Sequence, residues 1–273
     1  SRGLGDVYKR QFLYLFAFYF NFFGALENSG SNIKSSYPDQ LVQRKIQAQI
    51  EVSNRDTQIL FGDTHVHSTY STDAFLWSLP NSQGEGPHLM ADACDYARFC
   101  SAIDFWVMTD HAEASTPRKW GETIKAVQNC NKVNENKNIK DLFSFVGFEW
   151  TQISPNKEDH FGHKNVIFLE TDNNLLPGVP FGAAGYSSDN FRDNSNLSTV
   201  RQNMLGSAVV DFSNRQRYAD FLGFVEEILD HPDCDLKDPD PRNCYRSVVT
   251  PKDLFEVLNT VESDSIVIPH GNT

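Results

Sequence analysis

His65 and His67 stand one residue apart in Asp63-Thr64-His65-Val66-His67, directly after the apolar stretch Ile59-Leu60-Phe61-Gly62. On a strand the side-chain period is two, so both imidazoles leave the same face. Neutral imidazole ligates zinc and similar cations, and a pair on a rigid strand loses little entropy on binding. The motif alone is weak, but four more apolar segments each end in, or begin with, a further ligand type. The run from Asp104 leads through Thr109-Asp110 to His111, and Leu142-Phe143-Ser144-Phe145-Val146-Gly147-Phe148 ends in Glu149. His163 opens Lys164-Asn165-Val166-Ile167-Phe168, and Ser265-Ile266-Val267-Ile268-Pro269 closes in His270. Asp73, eight residues past His65, can curl back from a loop to join the first pair.

Each of these has a plainer role. A single histidine at a strand end is more often a satisfied rim residue; Asp110 could cap a helix, Glu149 could be half of a structural ion pair, and Asp73 could be a turn residue. His160 competes with His163, whereas His88 and His231, each beside a proline, read as exposed loop residues. The combination is what matters, since five strand termini carrying His, His, Glu, His and His are hard to explain without a shared cation. Ser68 and Ser71 have no free histidine as a base, and no Gly-x-Ser-x-Gly elbow or His-Glu-x-x-His helix occurs. The Gly84-Glu85-Gly86-Pro87 stretch reads as a turn, not a nucleotide loop. Lys164 or Arg98 could clamp a phosphate, although a solvated surface role suits both better. The aspartates between 230 and 240 could bind calcium but lack the required glycine and ligand spacing.

The elements that would hold these residues alternate. Strands are expected at 58–64, 104–109, 142–148, 164–169 and 265–269, and helices at 89–101, 119–133, 215–229 and 251–257, the last with proline in its first turn. This rhythm predicts an α/β protein with a parallel sheet. The stretch 171–214, rich in Asn, Gly and Ser, reads as a long insertion over the mouth of the barrel.

The chain has 273 residues, 40% of them hydrophobic, enough for a buried core. With 24 basic against 36 acidic residues its net charge is −12, which argues against nucleic acid or anionic membrane as partner. Residues 1–11 resemble a translated sequencing artefact, 12–26 read as a signal peptide too short to span a bilayer, and 27–57 as a linker. Export, to the periplasm, without stable membrane insertion after cleavage, is therefore expected. Five cysteines fit that compartment: Cys234 and Cys244 bracket a Pro- and Asp-rich loop as a local disulfide would, while Cys94, Cys100 and Cys130 read as small buried thiols on helices.

The ordered set of motifs resembles the PHP superfamily, named for polymerase and histidinol phosphatase. Phe61-Gly62-Asp63-Thr64-His65-Val66-His67-Ser68-Thr69-Tyr70-Ser71-Thr72-Asp73-Ala74, the run from Asp104 to Glu113, Gly147-Phe148-Glu149-Trp150-Thr151, His163 to Phe168 and Ile268-Pro269-His270-Gly271-Asn272 are similar to a bacterial branch of unknown function. The resemblance implies a distorted, TIM-like (β/α)7 barrel over 58–273, with two or three divalent metal ions (zinc, manganese or iron) at the carboxyl ends of the strands. It implies His65, His67, Asp73, His111, Glu149, His163 and His270 as metal ligands. It implies Asp110 as the catalytic carboxylate beside them, orienting an imidazole or a bound water. The activity implied is metal-assisted hydrolysis of a small, phosphorylated substrate, with no protein nucleophile. The late Asp-x-His motif of the superfamily is missing, so an incomplete, open barrel is expected, the amino-terminal part of a longer protein. Two alternatives are an amidohydrolase-like enzyme acting on another bond, which would usually carry a lysine where Glu149 stands, and an inactive metal-binding fragment.

Overall fold

The structure, a computed structural model, describes residues 2–32, 40–52, 59–133, 141–186, 188, 192–234 and 244–271. Two helices, α1 (Arg2–Tyr19) and α2 (Gln40–Val52), precede the first strand, β1 (Gly62–Val66). Then come α3 (Thr72–Ser78), α4 (Met90–Asp95), β2 (Phe105–Met108), α5 (Pro117–Lys132), β3 (Phe143–Gln152), β4 (Gly162–Phe168) and β5 (Phe181–Ala183). The chain continues through α6 (Leu197–Val210), α7 (Arg215–Asp230), β6 (Arg246–Val248), α8 (Pro251–Leu258) and β7 (Ser265–His270).

The result is a mixed α/β fold around a five-stranded sheet in the order β1-β2-β3-β4-β7, curled into a half-barrel. β1, β2 and β3 are parallel, but β4 runs against both β3 and β7. This corrects the expectation of an all-parallel sheet. No helix separates Gln152 from Gly162, so the chain can only turn back on itself. Gly162 makes the turn with φ +67, and at Gly147 a Cβ would stand 2.5 Å from the carbonyl oxygen of Val166, so the close approach of β4 requires glycine there. The hairpin also lengthens β3 past its expected end at 148, since residues 147 to 152 find backbone partners on β4. β7, antiparallel to β4, points the same way as β1, β2 and β3, and its carboxyl end lies at the same rim as theirs.

Each strand has two faces. The outer face, with Trp106, Val146, Phe148, Trp150, Val166 and Phe168, packs against α4, α5 and α8 in the larger core. The inner face carries Phe105 and Val107 on β2, Phe145 on β3, Ile167 on β4 and Ile268 on β7, which line an open apolar groove of about 690 Å³. Continuing at period two toward the rim, these same columns reach His111, Glu149, His163 and His270. The sheet is thus apolar at one end of its inner face and rich in ligand-type side chains at the other.

The helices follow their sequence signals. Thr116 caps α5 by accepting from the Lys119 N–H, with Pro117 in the first turn, and α8 opens with a reciprocal Thr250/Asp253 capping box and Pro251. A second core joins Phe18 of α1 and Phe75 of α3 to Met204 and Ala208 of α6 and to Tyr218, Phe221 and Leu222 of α7. The span 171–214, expected as a loop, therefore contains β5 and α6. On α6, Val200, Met204 and Ala208 recur every fourth position and form one stripe against the core. The expected linker likewise contains α2, whose Lys45 lies 3.4 Å from Asp104. No described helix is long and apolar enough to cross a membrane.

Two disulfides are formed. Cys234–Cys244 is the pair expected, but Cys94–Cys130 replaces the two free thiols expected on α4 and α5. These helices pack side by side and bring the Cα atoms to 6.0 Å, a relation that spacing along the chain does not reveal. Cys100 is free and exposed, not buried. Arg98, expected at the solvated surface, is buried and holds Asp141 at 3.1 Å and the Cys130 carbonyl at 2.8 Å. His231, expected exposed, is buried at the end of α7, whereas His88 is exposed as expected. Of the acidic loop 230–240, residues 235–240 lie outside the described residues, and Asp233 pairs with Arg192 at 3.1 Å.

Candidate metal centre

Glu149 lies at the centre of the polar rim. It sits inside β3, only 1% exposed, and its neighbours are imidazoles. Its Oε2 is 3.1 Å from His65 Nε2, 2.8 Å from His67 Nε2 and 3.9 Å from His111 Nε2. Its Oε1 contacts His163 Nδ1 and lies 3.5 Å from His270 Nε2. Asp73, in the first turn of α3, approaches from the solvent side, with Oδ1 3.5 Å from His67 Nδ1 and Oδ2 3.5 Å from His111 Nε2. All seven residues expected as ligands are therefore brought to one rim.

The backbone explains how. His65 and His67 leave the carboxyl end of β1, where the pairing register shifts between Asp63 and Val66. His111 follows β2 and makes an isolated parallel bridge to Glu149. His163 opens β4 yet lies at the same rim because that strand is reversed; it is in register with Thr151 on one side and His270 on the other. In a parallel strand the opening residue would sit at the opposite rim. His160 takes no part: its Nδ1 is 3.0 Å from the Ser154 carbonyl, away from the cluster.

Two sets of three donor atoms have the dimensions of a cation site: His65, His67 and Glu149, and His67, Asp73 and His111, each within 4.8 Å. The Nε2 atoms of His65 and His67 face each other at 2.9 Å. Ring nitrogens and carboxylate oxygens converging in this way, nitrogen upon nitrogen, form the donor set that suits zinc, manganese or iron.

The charges shift accordingly. Burial alone would raise the pKa of Glu149, but hydrogen bonds from His163, His65 and His67 prevail and hold its carboxyl far below the usual range. Burial of His67 opposes its protonation, yet its bonds to Asp73 and Glu149 lift it to about 10. His111 is raised against its burial by Asp73, Glu149 and Glu113, and Asp73 is pushed well down, against its own burial, by the two imidazoles it faces. His270 is lowered, chiefly by burial; Glu149 opposes the shift and the neighbouring histidines add to it.

Asp110 lies half-buried beside the cluster, and its two oxygens accept the Ser68 N–H at 2.6 Å and the Ser68 hydroxyl at 2.7 Å. Burial raises its pKa in spite of these donors. Its visible role is to pin the turn that follows His67. Ser71 accepts the His111 N–H at 2.7 Å, so neither serine is poised as a nucleophile. Lys164 and Arg98 are turned elsewhere: Lys164 caps the Phe161 carbonyl and lies 5.1 Å over Trp150. A cavity of about 360 Å³ reaches His67 past Asp63, His88, Leu89, Asp92 and Tyr96.

Three residues that sequence reasoning missed surround the ligand types. Thr151 touches His111 Nδ1 at 2.9 Å and His163 Nδ1 at 3.2 Å, Asn165 Oδ1 is 3.0 Å from His270 Nε2, and buried Glu113 lies 3.8 Å from His111 Nδ1. Each stands two positions beyond a candidate ligand, at Glu149, His163 and His111. Extending the period-two pattern by one step would have found the two that lie on strands, Thr151 and Asn165.

Residues 54–139 match the sequence model of a family described as "Protein of unknown function (DUF3604)". That span includes His65, His67, Asp73, Asp110 and His111 and ends before Glu149. No curated protein and no solved structure matches the chain.

Proposed function

We propose that this rim is a di- or trinuclear divalent-metal centre, and that the protein is a hydrolase of the PHP type acting on a phosphoester. The observation that carries the proposal is Glu149: one buried carboxylate faced by five imidazoles from four other segments of the chain. A purely structural carboxylate needs one or two partners, and crowding five titratable rings around a buried one is costly unless they share cations. When bound, the cations supply Lewis acidity, lowering the pKa of coordinated water and neutralising charge on the phosphoryl oxygens.

The chain's own residues would do the rest. His65, His67 and Glu149 would hold one cation, His67 or Asp73 with His111 a second, and His163 with His270 complete the set from the other side of Glu149. Asp110, through Ser68, fixes the turn that aims His67. The open cavity beside His67 leaves a path for substrate. The half-barrel, with β7 returning parallel to β1, supports reading the scaffold as related to a PHP-like, TIM-like barrel. Two disulfides favour an oxidising compartment, in line with export to the periplasm.

The test is elemental analysis of the purified protein together with hydrolysis of a panel of phosphomonoesters and phosphodiesters. Near-stoichiometric zinc, manganese or iron with turnover of at least one ester is the expected result. A protein that holds no divalent metal after reconstitution would refute it.

A further inference from the structure

We infer that Glu27 is a positioning residue of the proposed centre: its carboxylate joins the turn after His67 to the helix that bears Asp73, and so fixes the cation set His67, Asp73 and His111 while leaving the set His65, His67 and Glu149 to the strands. The inference rests on the metal-centre reading and adds to it a residue from outside the barrel segment.

The Glu27 side chain is only 10% exposed, and each of its oxygens has one partner. Oε2 accepts the Thr69 hydroxyl, and Oε1 pairs with Arg217 Nη1. Thr69 has a single hydroxyl proton, and Glu27 is its nearer and ionised acceptor; the His88 carbonyl lies at 3.3 Å and receives the Thr69 N–H at 2.9 Å. Arg217 carries the link onward. Its Nη2 donates to Ser78 Oγ at 2.7 Å, and its guanidinium lies 3.9 Å over the ring of Phe75. Ser78 and Phe75 belong to α3, whose first turn holds Asp73. One carboxylate therefore grips both ends of the segment from His67 to Ser78.

That grip bears on one cation set more than on the other. His67 and Asp73 face each other at 3.5 Å, and Asp73 faces His111 at 3.5 Å, so both distances depend on how the turn meets α3. His65 and Glu149 leave β1 and β3, which are joined through β2 and do not depend on that junction. Glu27 is itself anchored. Its carbonyl accepts Arg118 Nη1 at 3.0 Å, the Ser29 N–H donates to Glu122 Oε2 at 3.1 Å on α5, and the Ser29 carbonyl accepts the Ala91 N–H at 3.0 Å on α4. The stretch expected as a linker thus enters the fold at its first residue. Groups that orient metal ligands are commonly worth about 10–100-fold in affinity.

The experiment titrates the metal-free full chain with Co²⁺ and follows its visible absorption in wild type, Glu27→Ala, Thr69→Val and the double variant. Wild type should take up two ions in separate steps. Glu27→Ala and Thr69→Val should each weaken one step by about 10–100-fold and leave the other unchanged, and the double variant should match Glu27→Ala, because both changes remove the same bond. Loss of both steps together, or of neither, would overturn the inference. Should Glu27→Ala not fold, Thr69→Val, which keeps the shape of the side chain, decides alone. If the wild type binds no Co²⁺, the proposed function fails, while hydrogen exchange of the metal-free protein still decides the role of Glu27. Faster exchange over 68–78 in Glu27→Ala, with β1 to β3 unchanged, supports that role; exchange that is unchanged, or faster throughout, refutes it.

Discussion

His163 and Glu149 meet across a hairpin: the ring Nδ1 of His163, the second residue of β4, touches Oε1 of the Glu149 carboxylate fourteen positions earlier on β3. Reversal of β4 creates that contact. It closes the imidazole ring around Glu149, so Glu149 is the position at which the proposed centre is most vulnerable.

Glu149→Ala and His65→Ala should each strip bound metal and activity together, with metal affinity falling by at least about a hundredfold, since loss of a ligand exceeds the loss of an orienting partner. Elemental analysis after gel filtration reads the outcome. Full metal content in both variants would place the ligands elsewhere.

Cation binding must also stabilise the fold, because the five segments bearing the ligands are far apart in the unfolded chain. Zinc at about a hundredfold its Kd should add about 2.7 kcal/mol. Chelator should remove the gain, as a fall in Tm. A Tm indifferent to zinc and chelator argues against the site.

Lys119 gives a pH signature independent of metal. It is buried between the Ala114 carbonyl, which accepts from Nζ at 2.9 Å, and the ring of Phe224, 3.6 Å away. Burial lowers its pKa from 10.5 to about 7, although Glu227 at 3.9 Å opposes the shift. Between pH 7 and 10.5 the unfolded chain therefore binds a proton that the folded protein lacks. Stability from this residue must rise with pH across that window, at up to about 1.4 kcal/mol per pH unit. His67 acts in the opposite sense: raised to about 10, it stabilises the metal-free fold fully below 6.5, and that contribution is lost as pH climbs through 10. The diagnostic quantity is the stability of wild type minus that of Lys119→Met, from urea unfolding at pH 7.5 and 9.5. It should increase with pH, and a flat difference would mean that Lys119 is charged when folded.

The Cys94–Cys130 link closes a loop with a sequence separation of 36 between α4 and α5. Chain-entropy arguments assign such a closure about 3–4 kcal/mol. Cys94→Ser should lower Tm, and reductant, which also opens Cys234–Cys244, should lower the Tm of the wild type by more than that of the variant. Equal sensitivity of both proteins would show that the bond does not form.

Periodicity and residue type marked the apolar strands, the proline that starts α8, and the histidines and carboxylates at the strand ends, since strand alternation and helix initiation are local properties, but they left His163 open against His160. The sequence also suggested the Cys234–Cys244 bridge, because its two ends are close in the chain. Tertiary structure decided what depends on distant neighbours. Only pairing with β4 carries β3 on to Gln152, so only the folded hairpin places Thr151 against His111 and His163. Only the packing of α4 on α5 turns two apparent thiols into a disulfide and buries Arg98 against Asp141. Direction is invisible to a period-two pattern, which reads the same forwards and backwards; the rim that His163 occupies was therefore settled by which strand β4 bonds to, and not by the residues within it.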